Sequence, residues 1–251
     1  MKFLIISDVH GNWVALRAVL RAERRVDHIL CLGDLVDYGP QPVECVKWAM
    51  QSAGHAWLLQ GNHDRAVATS EDPRCSLPYQ HLARVTQEFS IRVLNRRMRT
   101  FLGALKPQSS FQIGYANCVA CHAAPSDPLY RYLRANDTCR LQVEVNIAGN
   151  PDFLFFGHTH WQIDRKLNCT RILNPGSVGQ PKDGHPAAAY AVWQDGEIFL
   201  RRAAYDLEEA VKAFGKTSLE STDIAALAHV LRSGGGLPAQ SRFRMSSTRR
   251  I

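Results

Sequence analysis

The stretch "KFLIISDVHGNWVALRAVLRAERRVDHILCLGDLVD", residues 2–37, decides the fold class. It contains a short apolar run, then apolar residues at helical spacing, then a second apolar run. Asn12 precedes the helical part and is a suitable N-cap residue. A strand, a helix and a strand in this order predict two parallel strands joined by a right-handed crossover. Polar residues follow both apolar runs: Asp8 and His10 the first, Asp34 and Asp37 the second.

The rest of the chain extends this pattern. A second helix and a third strand are predicted by about residue 60, and residues 79–105 have a mostly helical pattern. Seven short apolar or β-branched runs follow between residues 109 and 202, with a helical segment near residue 140. A final helical segment covers residues 219–232 and meets a "SGGG" break. We therefore expect an α/β fold with a β-sheet on each side of one core and helices on the outer faces.

Further polar residues follow the later strands. They are Asn62, His63 and Asp64 after the third strand, then His122, and then His158 and His160 in "FFGHTH". In α/β sheets the ligand site lies beyond the carboxyl ends of the strands. Imidazole and carboxylate groups together suit first-row transition metals. The number of donors exceeds the four of a tetrahedral zinc site and suits two ions.

Taken singly, each of these motifs has a structural explanation. Asp64 fits a cap of the following helix, and a lone histidine such as His122 is more often a core residue. The run "CVACH", residues 118–122, matches a c-type haem attachment motif and contains a CxxC pair. We interpret it as a buried strand that leads to His122. The seven cysteines are scattered and indicate reduced thiols rather than disulfides.

Five blocks in order resemble the signature of the calcineurin-like metallophosphoesterase superfamily. They are "DVH" (8–10), "GDLVD" (33–37), "GNHD" (61–64), "CH" (121–122) and "GHTH" (157–160). The segments "GDLVDYGPQP", "HAAPSDPLYRYL" and "NPGSVGQPKDG" further resemble a small prokaryotic branch related to the YfcE-type phosphodiesterases. This resemblance implies a four-layer fold of two mixed sheets packed as a sandwich between outer helices.

The resemblance also implies roles for individual residues. Two divalent transition-metal ions would be bound, with manganese favoured and iron, nickel, zinc and cobalt as alternatives. One ion would be held by Asp8, His10, Asp34 and His160, the other by Asp34, Asn62, His122 and His158. Asp34 would bridge the ions, and a hydroxide between them would attack phosphorus. His63 would stabilise the phosphoryl charge and protonate the leaving group, oriented by Asp37.

The substrate is less well specified by the sequence. Protein phosphatases of the superfamily have an arginine directly after the GDxxD block, where this chain has Tyr38. A small phosphoester is expected, with a phosphodiester favoured over a phosphomonoester. A Ser/Thr-type protein phosphatase and a dinucleoside polyphosphate hydrolase are alternatives. The segment 174–179 either shapes the substrate edge through Ser177 and backbone N–H groups or is a turn alone.

The formal net charge of +7 leaves a nuclease as a further alternative, although nucleic acid is not the favoured partner. A binding protein with a decayed metal site is disfavoured by the intact ligand set. We expect a catalytic domain at 1–214, followed by a C-terminal helix and basic tail at 215–251. The absence of an export signal and of any run of about 20 apolar residues predicts a cytoplasmic protein without a membrane span. The oligomeric state is not indicated.

Overall fold

The computed structural model describes residues 1–237 and contains two five-stranded sheets. The strands are β1 (Lys2–Ile6), β2 (His28–Cys31), β3 (Ala56–Leu58), β4 (Gln108–Ile113), β5 (Ala116–Cys121), β6 (Phe153–Phe155), β7 (Gln162–Leu167), β8 (Thr170–Pro175), β9 (Ala188–Gln194) and β10 (Glu197–Ala203). The first sheet has the order β10-β9-β1-β2-β3 and the second the order β4-β5-β6-β8-β7. Both sheets are mixed, with three parallel strands in each, β1-β2-β3 and β5-β6-β8.

Over residues 1–237, eight α-helices surround these sheets. They are α1 (Trp13–Ala22), α2 (Pro42–Ser52), α3 (Asn62–Thr69), α4 (Gln80–Val93), α5 (Arg96–Ala104), α6 (Thr138–Ile147), α7 (Leu207–Ala213) and α8 (Ser221–Ser233). The predicted N-cap is confirmed, since Asn12 Oδ1 accepts a hydrogen bond from the Ala15 N–H at 3.0 Å. The helix expected after the "GNHD" block is present as α3, which begins within the block, whereas the short α7 had not been predicted.

Successive side chains of a strand point to opposite faces of its sheet, and in both sheets the two faces are buried. In β1, Phe3 and Ile5 face the second sheet and pack with Phe155 and Leu173. Leu4 and Ile6 face the opposite way, into a cluster with residues of α1, α2 and α5. The outer face of the second sheet packs against Leu141 and Val145 of α6. The four layers are therefore helix, sheet, sheet and helix, and the fold expected from the sequence is confirmed.

The C-terminal helix packs close to one end of the sandwich. Leu227 and Leu231 of α8 form a buried cluster with Val14, Tyr38 and Phe214. Helix α8 is thus part of the folded body. The division at residue 214 stays a prediction, and the basic tail lies outside the described residues.

Candidate metal centre

The nine residues predicted for the site lie at one edge of the sandwich. They follow the ends of five strands, β1, β2, β3, β5 and β6, because the parallel strands of both sheets end at this edge. All nine are buried, with at most 4% of each residue exposed: Asp8, His10, Asp34, Asp37, Asn62, His63, His122, His158 and His160. So many polar side chains are buried close together only where they bind one another or a ligand.

Six of these side chains form two groups. Asp8, His10 and His160 make one group, and Asp34, His122 and His158 make the other. Within each group, one ligand atom per residue lies within 4.8 Å of the others. Each group has two imidazoles and one carboxylate, a donor set suited to a first-row divalent metal.

Asp34, a member of the second group, also faces His10 of the first. Its Oδ2 is 3.3 Å from His122 Nε2 and 3.7 Å from His10 Nε2. Asn62 belongs on the His122 side, where its Oδ1 lies 3.0 Å from His122 Nε2. The Asn62 amide is oriented by a hydrogen bond that its Nδ2 donates to the Pro73 carbonyl at 2.8 Å. An oxygen of Asn62 therefore faces the same space as the carboxylate of Asp34.

Backbone carbonyls fix the orientation of three imidazoles. His10 Nδ1 faces the Val36 carbonyl at 3.0 Å, His122 Nδ1 faces that of Leu32 at 2.8 Å, and His160 Nδ1 faces that of Gln180 at 2.6 Å. A carbonyl only accepts, so each Nδ1 carries the proton and donates it. In the neutral ring the Nε2 lone pair then points into the site. This is the arrangement that metal-binding histidines use to set their tautomer.

The resulting contacts fit bound cations. His10 Nε2 and His160 Nε2 are 3.2 Å apart, and His160 Nε2 is 3.3 Å from Asp8 Oδ1. These atoms are all acceptors when the rings are neutral. Asp8 Oδ1 and His158 Nε2 are buried without a hydrogen-bond partner among the described residues. Converging lone pairs and orphaned buried acceptors are stabilised by a positive ion between them.

Charge states at neutral pH favour such binding. Burial lowers the pKa of His10 to about 3 and holds those of His158 and His160 well below the usual value. Burial acts to raise the pKa of Asp34, but His122 and His63 outweigh it and hold this pKa well below its usual range. Three imidazoles and the Asp34 carboxylate are therefore ready to bind metal. Burial lowers the pKa of His122, but Asp34 and Asp8 raise it by more, to about 9, so this ring releases a proton when a metal binds.

His63 lies beside these groups, with its ring centroid 5.1 Å from that of His10, and pairs with a carboxylate. Its Nδ1 lies 2.9 Å from Asp37 Oδ2, and Asp37 Oδ1 accepts a hydrogen bond from Ser90 Oγ at 2.8 Å. Burial lowers the pKa of His63, while Asp34 and Asp37 raise it by more, so the net shift is upward. A protonated His63 is therefore favoured beside the centre. Ser90 had not been identified from the sequence, because nothing in its local pattern marks it.

Asp64 does more than cap α3. Its Oδ2 accepts hydrogen bonds from the Gly61 N–H at 3.0 Å and from the Asp34 N–H at 2.8 Å. Its Oδ1 accepts from the Leu35 N–H at 2.8 Å. The capping role predicted from the sequence is present, but Asp64 also fixes the backbone that carries Asp34. The interpretation of Asp64 as a helix cap alone was therefore incomplete.

Seven residues of the site and its rim have a left-handed backbone conformation. They are Asp8, His10, Asp34, Asp37, Tyr38, His158 and His160, with φ between 45° and 66°. This conformation is unfavourable for residues with a Cβ. Residues that adopt it are concentrated at functional sites, where the surrounding contacts maintain it. The sharp turns aim successive polar side chains into one space. Sequence patterns do not reveal this feature in histidines.

Close backbone approach explains the glycine of the "GNHD" block. A Cβ on Gly61 would lie 2.0 Å from Asp34 Oδ1 and 2.4 Å from the Asp34 nitrogen. Gly157 of "GHTH" is similarly constrained, since its Cβ would lie 2.0 Å from Ser7 Oγ and 2.9 Å from Asp8 Oδ2. Both glycines therefore allow a loop to approach a carboxylate of the candidate centre.

We expect Gly61→Ala to displace the Asp34 carboxylate and to reduce the manganese bound per chain. Overpacking of this kind costs about 1–3 kcal/mol of unfolding free energy, so the melting temperature should also fall. Elemental analysis and thermal denaturation measure the two effects. Gly54→Ala is the matched control, because a Cβ there meets no atom within 4 Å. Equal manganese content in the two variants would contradict this account of Gly61.

The turn at 174–179 uses its hydrogen-bonding groups to bind other parts of the protein. Ser177 Oγ donates to the Asp8 carbonyl at 2.7 Å and accepts from the Gln180 N–H at 2.8 Å. The N–H groups of Val178 and Gly179 donate to the carbonyls of Ser7 and Asp8, both at 3.0 Å. Of the two interpretations of this segment, the structural one applies. The turn supports the chain at Asp8 rather than presenting donors to a substrate.

Aromatic residues form the rim of the centre. The ring of Tyr38 lies 5.0 Å from that of His10 and 4.9 Å from that of His63, measured between centroids. The ring of Tyr132, which is 43% exposed, lies 4.1 Å from that of His158. Its loop is anchored by Glu144, whose carboxylate accepts hydrogen bonds from the N–H and Oγ of Ser126. These rings had no role in the sequence-based prediction.

Comparisons with known proteins agree with this geometry. The chain is 30% identical over 236 residues to the uncharacterized protein MJ0912 of Methanocaldococcus jannaschii, an alignment that covers 86% of this chain and 92% of that protein. It is 26% identical over 198 residues to the phosphodiesterase YfcE of Escherichia coli K12, covering 75% and 85% of the two chains. The crystal structure of a metallophosphoesterase from Sphaerobacter thermophilus superposes with a TM-score of 0.76 at 29% identity, over 93% of this chain and all of that one.

The family assignment rests on the greater part of the chain. The profile of the Calcineurin-like phosphoesterase superfamily domain matches residues 1–195, which include all five sequence blocks and both groups of candidate ligands. The predicted family, fold and enzyme class are confirmed. The chain belongs to the calcineurin-like phosphoesterase superfamily and is a metal-dependent phosphoester hydrolase.

Proposed function

We propose that this chain hydrolyses a small phosphoester at a centre of two divalent ions. The observation that carries the proposal is the pair of donor groups, with Asp34 of the second group close to histidines of both. Asp8, His10 and His160 would hold one ion and Asn62, His122 and His158 the other, with Asp34 shared. Manganese is the preferred ion, because mixed carboxylate, amide and imidazole donors suit it and also admit iron, cobalt, nickel and zinc.

Bound ions would activate a water molecule near neutral pH and neutralise charge on the phosphoryl oxygens. The protein supplies the remaining chemistry. His63 would donate a proton to the leaving oxygen, since its pKa is shifted upward and it stands beside the centre. Asp37, itself held by Ser90, would keep the proton on Nδ1 and leave Nε2–H directed at the substrate. Asp37 is in this scheme a positioning residue.

A phosphodiester is the favoured substrate. The uncharged Tyr38 lies against both His10 and His63, at the position where the family's protein phosphatases have an arginine. A diester has one negative charge, whereas an ionised monoester has two and needs more compensation from the protein. The similarity to YfcE, a phosphodiesterase, supports the same choice. Dinucleoside polyphosphates and phosphoproteins are the alternative substrates.

Turnover of bis(p-nitrophenyl) phosphate and of p-nitrophenyl phosphate tests this function. With the chelated protein reloaded with Mn²⁺, Ni²⁺, Zn²⁺ or Mg²⁺, we expect the highest kcat/KM for the diester with Mn²⁺. Because the two compounds share a leaving group, their ratio reports the charge preference of the site. A higher kcat/KM for the monoester would reject the diester preference, and no turnover with any metal would reject the function.

A nuclease is the second candidate, favoured by the net charge of +7. A protein that contacts several phosphates of a nucleic acid loses activity steeply as salt rises, with a logarithmic slope of about −0.7 per contact for single strands. Comparing an oligonucleotide with the small diester between 50 and 200 mM salt would separate the two, as roughly a hundredfold or greater loss is typical of several contacts. We expect the small diester to be the better substrate and to be weakly salt-dependent.

The cellular setting stays a proposal from the sequence. Within residues 1–237 no helix combines the length and apolar character that crossing a bilayer requires. The described cysteines are all unpaired, and we propose a cytoplasmic location on the basis of the sequence.

A further inference from the structure

Lys182 is a cation at the rim of the centre that has no anionic partner among residues 1–237. It is half-buried, and its Nζ lies 4.5 Å from the centroid of the Tyr79 ring. Within residues 1–237 the ammonium makes no hydrogen bond and no ion pair with a carboxylate. A shielded ammonium without a counter-ion is unfavourable, and most such groups in proteins are paired.

The charge of Lys182 acts on both halves of the centre. Burial is the largest influence on the pKa of five groups there, and the ammonium adds a lowering influence to all of them: Asp8, His10, His63, His158 and His160. Burial lowers the pKa of Lys182 itself, to about 8, while Asp8, Cys75 and Asp34 oppose that shift. The contacts place this charge at the rim of the centre: the Tyr79 ring under the Lys182 ammonium lies 6.2 Å from the ring of Tyr38, which in turn borders His10 and His63.

The loop that carries Lys182 is held on both sides of this residue. On one side, the Gln180 carbonyl accepts the hydrogen bond from His160 Nδ1 at 2.6 Å. On the other side, Asp183 forms an ion pair with Arg202, and the Gly184 N–H donates to the Gly234 carbonyl at 2.7 Å. These tethers fix the backbone of Lys182 relative to the centre, so the ammonium is positioned before any ligand arrives.

We propose that Lys182 binds a phosphoryl oxygen of the substrate and is the residue that sets its charge preference. An ammonium offers three donors and forms strong, charge-assisted hydrogen bonds with phosphate oxygens. One fixed cation, next to the Tyr79 ring that borders Tyr38, matches the single negative charge of a phosphodiester. The inference rests on the proposed function, because it assumes that the anion in this space is a phosphoester. Lys182 is then a substrate-binding residue in addition to His63 and the candidate ligands.

The test compares wild type with Lys182→Met, which keeps the length of the side chain and removes the charge. The probe is inorganic phosphate, measured by calorimetry on manganese-loaded protein and as a competitive inhibitor of bis(p-nitrophenyl) phosphate hydrolysis. Loss of a hydrogen bond to a charged group should raise the Kd of phosphate and the KM of the diester about tenfold to a hundredfold. Manganese content should stay at the wild-type value, and Lys182→Arg should remain within about threefold of wild type.

Lys166→Met is the matched control, because Lys166 is exposed on β7 and its loss changes net charge equally. Unchanged phosphate affinity in Lys182→Met would overturn the inference, as would a loss of manganese equal to the loss of phosphate binding. The same experiment can reject the proposed function without rejecting the role of Lys182. If wild type hydrolyses no phosphoester but binds phosphate in a Lys182-dependent way, the assignment of Lys182 as an anion-binding residue stands and the hydrolytic function does not.

Discussion

Asp34→Asn should abolish binding of both ions and lower kcat/KM on the order of a thousandfold, since removing this charge from a two-metal site costs several kcal/mol. Asp34 is the carboxylate that lies close to histidines of both donor groups, with its Oδ2 3.3 Å from His122 Nε2 and 3.7 Å from His10 Nε2. An amide at this position supplies neither the charge nor a second oxygen. Elemental analysis of the purified, manganese-loaded variant and a steady-state assay measure the two losses.

The fold should survive this change. Asp34 Oδ1 accepts a hydrogen bond from the His63 N–H at 2.9 Å, and an asparagine oxygen can accept the same bond. Asp195→Asn is the matched control, because Asp195 is exposed and pairs with the N-terminal ammonium. If Asp34→Asn retained two ions per chain with wild-type turnover, the shared-carboxylate arrangement would be wrong.

His63→Ala should keep the metal content of wild type and lose turnover by about a hundredfold to ten-thousandfold, the range expected for a general acid. His63 Nδ1 pairs with Asp37 and His63 belongs to neither donor group, so its removal leaves both groups intact. The loss should depend on the leaving group. It should be smaller for a p-nitrophenyl ester, whose leaving oxygen needs little protonation, than for the corresponding phenyl ester.

Two further variants test the role of His63 more closely. His55→Ala, at an exposed histidine before β3, is the control and should leave both ester assays unchanged. Asp37→Asn should reduce turnover in wild type but have little effect in the His63→Ala background, because residues that act as one unit are not additive. Loss of manganese from His63→Ala, or an equal loss for both leaving groups, would exclude the general-acid role.

The fold could be predicted because its determinants are local. Continuous apolar runs such as "KFLIIS" specify strands with two buried faces. The order of strands and helices along the chain limits the ways in which they can be connected. The meeting of Asp8, Asp34 and His158 could also be predicted, since parallel strands bring their carboxyl ends to one edge. The position of a polar residue at a strand end thus predicts which other polar residues it lies close to.

The supporting contacts could not be predicted, because they join residues that no local pattern connects. Ser90 reaches Asp37 across 53 positions, and Asp64 reaches the backbone of Asp34 across 30. Lys182 lies within a segment whose Gly/Pro pattern indicates a turn, and its lack of a counter-ion within the described part of the chain is visible only when the surrounding residues are in place. Left-handed φ values at histidines likewise depend on tertiary contacts that maintain them.

Anomalous diffraction from crystals of manganese-loaded protein tests the central claim most directly, since it gives both the number and the positions of the ions. We predict two peaks roughly 3.5–4 Å apart, the usual separation in two-metal sites. One should lie among Asp8, His10 and His160, the other among Asn62, His122 and His158, with Asp34 between them. A single peak, or peaks away from these residues, would contradict the account.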